Sequence, residues 1–184
     1  MTDLATESRV ALLERDQVPD ELRPLYDKLL EERGVVPNMF KAVSNVPALA
    51  LGFAALLKPL MGDGHLQAWY KELIATYVAT LNQCEYCVSS HRYLAKLRGA
   101  SPEQIDAVES YESGPFTEKE KAGFAYAGVL HVTGNAVDET AYGLVRRFFE
   151  QEEFIELTAV AAAFEFFPRF NSALGIPVTP LPNG

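Results

Sequence analysis

Residues 66–99 read LQAWYKELIATYVATLNQCEYCVSSHRYLAKLRG, and the periodicity of this stretch decides the fold class. Leu66, Trp69, Tyr70, Leu73, Ile74, Tyr77, Val78 and Leu81 recur at the i, i+3, i+4, i+7 spacing of a helix with one apolar stripe. Ala68, Glu72, Ala75 and Ala79 fall on the opposite side, where small residues let a second helix approach closely and where Glu72 is expected to be partly buried. Asn82 and Gln83 interrupt the pattern. A second helix is expected from around Cys84 to Arg98, with Gly99 as its C-terminal stop, so both cysteines sit near a helix N-terminus.

The same punctuation recurs outward from this pair. Asp20 is expected to cap a helix running to Arg33 and stopped by Gly34, followed by a short helix over Pro37–Ser44. A longer one is expected over Pro47–Met61, with Pro59 kinking or fraying its last turn. Ser101-Pro102-Glu103-Gln104 reads as an N-cap opening a short helix to about Ser110, and Tyr111–Phe116 as a loop. Thr117 and Glu120 form a capping-box pattern that starts a helix to about Val132, ended by Gly134-Asn135. Asp138 is expected to cap a helix to about Phe149, and a last apolar helix runs from Glu152 to Ala173, kinked at Pro168. The tail, GIPVTPLPNG, reads as extended. No alternating β-branched run flanked by hairpin turns occurs, so the reading is an all-α, single-domain helical bundle. Glu72-Leu73-Ile74-Ala75 and Glu156-Leu157-Thr158-Ala159 share Glu, Leu and Ala in register, compatible with two related helical halves.

Composition narrows the function classes. The chain has 184 residues, 48% apolar and 22% charged, enough to bury a core without metal or disulfide support. Its net charge of −9 disfavours a nucleic-acid partner, which needs clustered positive charge. The first residues hold no apolar block of signal-peptide length, and the longest weakly polar stretch, Val46–Leu57, stops at Lys58, short of the ~20 residues that cross a bilayer. A cytoplasmic protein with no membrane partner is expected. In a reducing compartment a close cysteine pair is more often catalytic or metal-binding than structural.

Cys84, Cys87 and His91 lie at i, i+3 and i+7, within roughly a 60° arc of one helix face. Cys87 and His91 are an i, i+4 pair, so the imidazole is expected to reach the thiol and take its proton. Cys84, nearer the helix start, gains from the dipole, and the two cysteines can close a small disulfide ring. Two other readings compete: an inert buried pair, and a zinc site of Cys84, Cys87 and His91 that would need an Asp or Glu as fourth ligand. A thioredoxin-type site would follow a strand, and none precedes this motif. Glu72, beside Lys71, would be solvated if that helix face were exposed. His65 reads as exposed or capping, and His131 as facing a helix C-terminus. Phe164, Phe166, Phe167 and Phe170 read as core or subunit interface; no glycine-rich phosphate loop accompanies them, and no cofactor is expected.

The stretch Glu72–Gly99 resembles the alkylhydroperoxidase D-like proteins of the carboxymuconolactone decarboxylase superfamily. That family's pattern is a glutamate twelve residues before a C-x-x-C pair and a histidine four residues after its second cysteine, which Glu72, Cys84, Cys87 and His91 satisfy. The segments GFAALLKPLMGDGHL and FFPRFNSALGIP are similar to its peroxidase-related branch, so the resemblance spans residues 35–178, with 1–34 as an N-terminal extension carrying one helix and 179–184 as a tail. Where the narrowly defined enzymes have a histidine just before the second cysteine this chain has Tyr86, which removes one proton-transfer group.

The resemblance implies a thiol peroxidase. Cys87 would attack the O–O bond of a hydroperoxide and become a sulfenic acid, His91 and Glu72 would relay protons, Cys84 would condense to the disulfide, and an external dithiol would reset the pair. Glu72 would orient His91. The alternatives are a decarboxylase-type lyase that does not use cysteine, and a non-enzymatic redox sensor. The expected partners are a hydroperoxide substrate, a dithiol reductant of unknown identity and further copies of the chain, since the alanine- and phenylalanine-rich helices suit a homo-oligomer.

Overall fold

Caps, prolines and glycines cut the chain into helices. The computed structural model describes residues 8–134 and 136–182, and among these the chain forms nine α-helices and no strand. They are α1 (Arg23–Arg33), α2 (Asn38–Val43), α3 (Pro47–Met61), α4 (Ala68–Leu81), α5 (Glu85–Leu97), α6 (Pro102–Asp106), α7 (Glu118–Thr133), α8 (Glu139–Arg146) and α9 (Gln151–Leu174). Ser101 and Thr117 close the expected capping boxes with Gln104 and Glu120, and Asp138 accepts from the Ala141 amide at 2.8 Å. Gly34 ends α1 in the left-handed conformation (φ 71°), and a Cβ there would also collide with Pro182 of the tail.

Several boundaries differ from the sequence reading, each for a local reason. Asp20 does not cap α1: it opens a 3-10 turn over Asp20–Leu22, and its carboxylate pairs with Arg23 at 2.8 Å. Helix α8 stops at Arg146, which lets Phe149 turn into the core at 2% exposure. Helix α9 starts earlier than expected because Glu150 and Glu153 form a capping box. It also continues through Pro168 to Leu174. Pro168 has no N–H to give the Phe164 carbonyl, and the Asn82 side-chain amide reaches that oxygen at 3.5 Å instead. The expected stop at Asn135 lies outside the described residues.

Helix α4 is the axis of the bundle. Ten of its fourteen residues are buried, so it is covered all round rather than along one stripe. It packs against α5, α7 and α9. Its Leu73, Ile74 and Val78 meet Phe124 and Ala127 of α7 and Leu157, Val160 and Phe164 of α9 in one cluster. A second cluster joins Leu22, Tyr26 and Leu29 to Phe40 and Val43 of α2, Phe167 of α9 and both cysteines. Each large apolar side chain so buried stabilises the fold by about 1.5–3 kcal/mol. Helix α3 behaves differently: only Ala50 and Met61 are buried, while Leu49, Leu51 and Leu56 are exposed, as is Phe166 of α9 beside Phe53. No helix among the described residues is long and apolar enough to cross a membrane.

Lys71, next to Glu72, lies at 1% exposure rather than on a solvated face. Its Nζ pairs with Glu156 at 2.7 Å and donates to the Gly62 carbonyl at 2.9 Å, while Glu156 also accepts from the His65 and Leu66 amides. The pair pins the turn between α3 and α4 to α9. Lys71→Met leaves a carboxylate that keeps two amide donors, and should destabilise the chain by about 3 kcal/mol. Glu156→Ala strands a buried ammonium and should cost more, about 5 kcal/mol. Urea midpoints of the two variants check the order.

Candidate active site

The turn between α4 and α5 creates the site. Gln83 is the only described non-glycine residue with positive φ (53°), and the Cys84 amide then reaches back to the Ala79 carbonyl at 3.0 Å. This places Cys84 as the N-cap of α5 in extended conformation, its sulfur accepting from the Cys87 amide at 3.4 Å. One turn later Cys87 points back at it, with the two sulfurs 2.8 Å apart and both thiols free. A disulfide of about 2.05 Å is within reach of side-chain adjustment alone. Asn171 of α9 donates its amide to Cys87 Sγ at 3.3 Å.

Glu72 is fully buried, more so than its partly buried expectation. Its Oε2 meets His91 Nδ1 at 2.5 Å, and Oε1 lies 3.2 Å from Arg98. Arg98 also donates to the Met61 carbonyl, which ties the end of α3 into the same network. The His91 ring stands edge-on to Phe164, with centroids 4.4 Å apart. The structure therefore brings Glu72, Cys84, Cys87 and His91 into one neighbourhood. It differs from the sequence reading in one contact: His91 makes no hydrogen bond to Cys87. Glu72 holds the imidazole, and Cys84 and Asn171 hold the thiol.

Cys87, His91 and Glu72 line a common cavity walled by Met39, Phe40, Leu57, Met61, Phe164 and Phe167, and Cys84 lies outside it. Tyr86 is a strut in its wall. Its hydroxyl accepts from the Met39 amide at 3.0 Å and meets Thr179 of the tail at 3.4 Å, and burial raises its pKa above the ordinary value. Asn38 completes this seam, its amide donating to Thr179 Oγ1 at 3.0 Å and its side chain to the Pro177 carbonyl at 3.1 Å.

The two thiols are electrostatically unequal. Cys84 is pulled down to about 7, first by the hydrogen bond from the Cys87 thiol and further by the amides of the first turn, with burial opposing. Cys87 is pushed up because it holds the shared proton, with burial and the charge on Cys84 adding to the effect. The first negative charge of the pair thus rests on Cys84. As pH rises through about 7 the ultraviolet absorbance of one thiolate should appear, with the second absent until far higher pH. A single midpoint at the ordinary thiol value would contradict the shared proton.

His65 gives its backbone amide to Glu156, and His131 pairs with Glu165 at 2.7 Å rather than facing a bare helix end. Among the described residues, no group of three or more His, Cys, Asp and Glu side chains could hold a metal ion. Phe164 and Phe167 are core, whereas Phe166 is exposed. Asn171 and Arg98 were not legible as site residues from composition. Arg98 carried a signal, since it lies seven residues after His91 on the same helical face; Asn171 carried none.

Residues 47–129 match the carboxymuconolactone decarboxylase family. Uncharacterized protein YnjA of Escherichia coli is 29% identical over 108 residues, 58% of this chain and 59% of that protein, so the match spans about three fifths of that relative's length. A peroxidase-related protein of Ralstonia eutropha, described as an alkylhydroperoxidase AhpD core, superposes with a TM-score of 0.85 at 25% identity over 94% of this chain and 92% of that one. The debrominase Bmp8 bound to 2,3,4-tribromopyrrole superposes at 0.84 with 23% identity, covering 95% of this chain and 93% of its own.

Proposed function

We propose that this chain, which belongs to the carboxymuconolactone decarboxylase superfamily and has the alkylhydroperoxidase D-like fold, is a thiol-dependent peroxidase that reduces hydroperoxides at Cys87. The observation that carries this reading is the contact between a cavity-facing Cys87 thiol and a Cys84 sulfur outside the cavity, beside a buried Glu72–His91 pair. A decarboxylase-type lyase has no use for such a pair.

The geometry supports a sequence of steps in which Cys84, rather than His91, activates the nucleophile. As a hydroperoxide enters, the proton of Cys87 passes to the Cys84 thiolate, and Cys87 sulfur attacks the terminal oxygen. The O–O bond breaks, Cys87 becomes a sulfenic acid, and the alkoxide takes a proton from His91, whose other nitrogen is held by Glu72. Cys84 then gives its proton to His91 and attacks the sulfenic sulfur. The S–O bond breaks, hydroxide recovers that proton as water, and the disulfide stores the two electrons lost. An external dithiol returns them by exchange.

Thiol titration before and after one equivalent of cumene hydroperoxide, followed by steady turnover with dithiothreitol, tests the reading. Loss of both thiols and repeated turnover are expected. A protein that keeps both thiols, that reacts once and is not reset, or that turns over 2,3,4-tribromopyrrole but no hydroperoxide, overturns it.

A further inference from the structure

The cavity that holds Cys87 has a cationic side unaccounted for by the proton relay. Arg33, the last residue of α1, lines it opposite the apolar wall and makes no ion pair or side-chain hydrogen bond with any described residue. Its backbone is fixed on both sides: the carbonyl accepts from the Tyr93 hydroxyl at 3.3 Å, and Gly34 follows in the left-handed conformation against Pro182. The guanidinium is therefore held at the cavity, and it is not drawn there by a carboxylate of its own.

Charge counting sharpens this. Glu72 is the carboxylate lining the cavity, and Arg98 already faces it at 3.2 Å, so Arg33 adds a positive charge beyond the pair. Burial lowers the pKa of Arg33, Glu72 opposes that, and Arg98 adds to it, so its charge lacks full compensation. A groove between α1 and α3 leads to the same place, sharing Arg33, Phe40 and Leu57 with the cavity. Lys28, Lys58 and Arg98 also line it, with Glu32 as the acid among them, in a chain whose net charge is −9. An entrance of opposite sign to the rest of the molecule steers anions.

We propose that the substrates are organic hydroperoxides bearing a carboxylate, which enter between α1 and α3, lay their hydrocarbon along Met39, Phe40, Leu57 and Phe167, and place the carboxylate on Arg33. This rests on the peroxidase reading and names its substrate class. A single surplus charge suits a carboxylate rather than a doubly charged phosphate monoester, and the planar guanidinium can take a carboxylate in two parallel hydrogen bonds.

The test compares linoleic acid hydroperoxide with its methyl ester, at equal concentration and with the same dithiol. The acid should have a kcat/KM at least about 10-fold higher, through KM, the worth of one charge-assisted contact. Arg33→Met should erase that ratio, and Arg33→Lys should restore part of it. Calorimetric titration with octanoate and methyl octanoate reads the anion site without chemistry: octanoate should bind the parent more tightly, and Arg33→Met should remove the difference. If octanoate binds through Arg33 but neither hydroperoxide is turned over, the anion site stands and the peroxidase reading fails. Equal kcat/KM for acid and ester, an acid-to-ester ratio that Arg33→Met leaves intact, or octanoate binding indifferent to Arg33 overturns the proposal. A phosphate monoester preferred over the carboxylate overturns it as well.

Discussion

Cys87→Ser should reduce hydroperoxide turnover to background, a loss of at least about 10³-fold, because a serine hydroxyl cannot supply the polarisable thiolate that attacks the O–O bond. The matching variant, Cys84→Ser, should behave differently. Serine is a preferred N-cap residue and can accept from the amide now bonded to Cys84, so the fold around α5 should survive. Cys87 in that variant should still be oxidised by one equivalent of hydroperoxide and then stop as a sulfenic acid that dimedone captures. Stopped-flow peroxide consumption and mass spectrometry of the adduct separate the outcomes. If Cys84→Ser is inert while Cys87→Ser consumes one equivalent, the roles are reversed and the sulfur bearing the resting charge is the one that attacks.

Replacing Glu72 should have the second-largest effect. It is a carboxylate at 0% exposure that faces both His91 and Arg98. Glu72→Gln keeps the shape but removes the charge that holds the imidazole and balances the arginine. Turnover should fall about 10²-fold, the usual worth of a positioned proton-transfer group. Two thiols should still be lost per hydroperoxide, because the sulfurs keep their contact. The chain should also lose about 3 kcal/mol of stability, since Arg98 and His91 are left without their shared counter-charge. Denaturation midpoints and the stoichiometry of thiol loss distinguish a slowed relay from a collapsed site. A Glu72→Gln protein of normal stability and normal rate would remove Glu72 from the mechanism.

The helical architecture was legible because its signals are local. Periodicity, capping boxes and glycine stops act within one or two turns, and α3 emerged with its expected limits at Pro47 and Met61. The grouping of Glu72 with Cys84, Cys87 and His91 was legible for a mixed reason: three share one helix face, and Glu72 came from spacing on a neighbouring helix. What stayed hidden depends on contacts far apart in sequence. Lys71 looked like a solvated neighbour of Glu72 until α9 brought Glu156 to it. Asn171, in a run of phenylalanines, reads as an interruption of an apolar helix, yet it donates to the Cys87 sulfur. Arg33 reads as an ordinary basic residue at a helix C-terminus, and only the packing of α1 beside the cavity gives it a role. The contact expected between Cys87 and His91 failed because i, i+4 spacing permits a bond without requiring one, and Glu72 offers the imidazole a charged partner.

The position of Cys84 at the head of α5 also bears on reduction potential. As a thiolate it sets a full negative charge against the open amides of the first turn, an interaction worth about 0.3–1 kcal/mol that a disulfide sulfur cannot match. The helix end thus favours the reduced pair over the oxidised one. For a two-electron couple, 1 kcal/mol corresponds to roughly 20 mV, in the direction that makes the disulfide the better electron acceptor. A residue that looks like a helix cap thereby biases the cycle toward its resting state, easing the step in which an outside dithiol must compete for the sulfur.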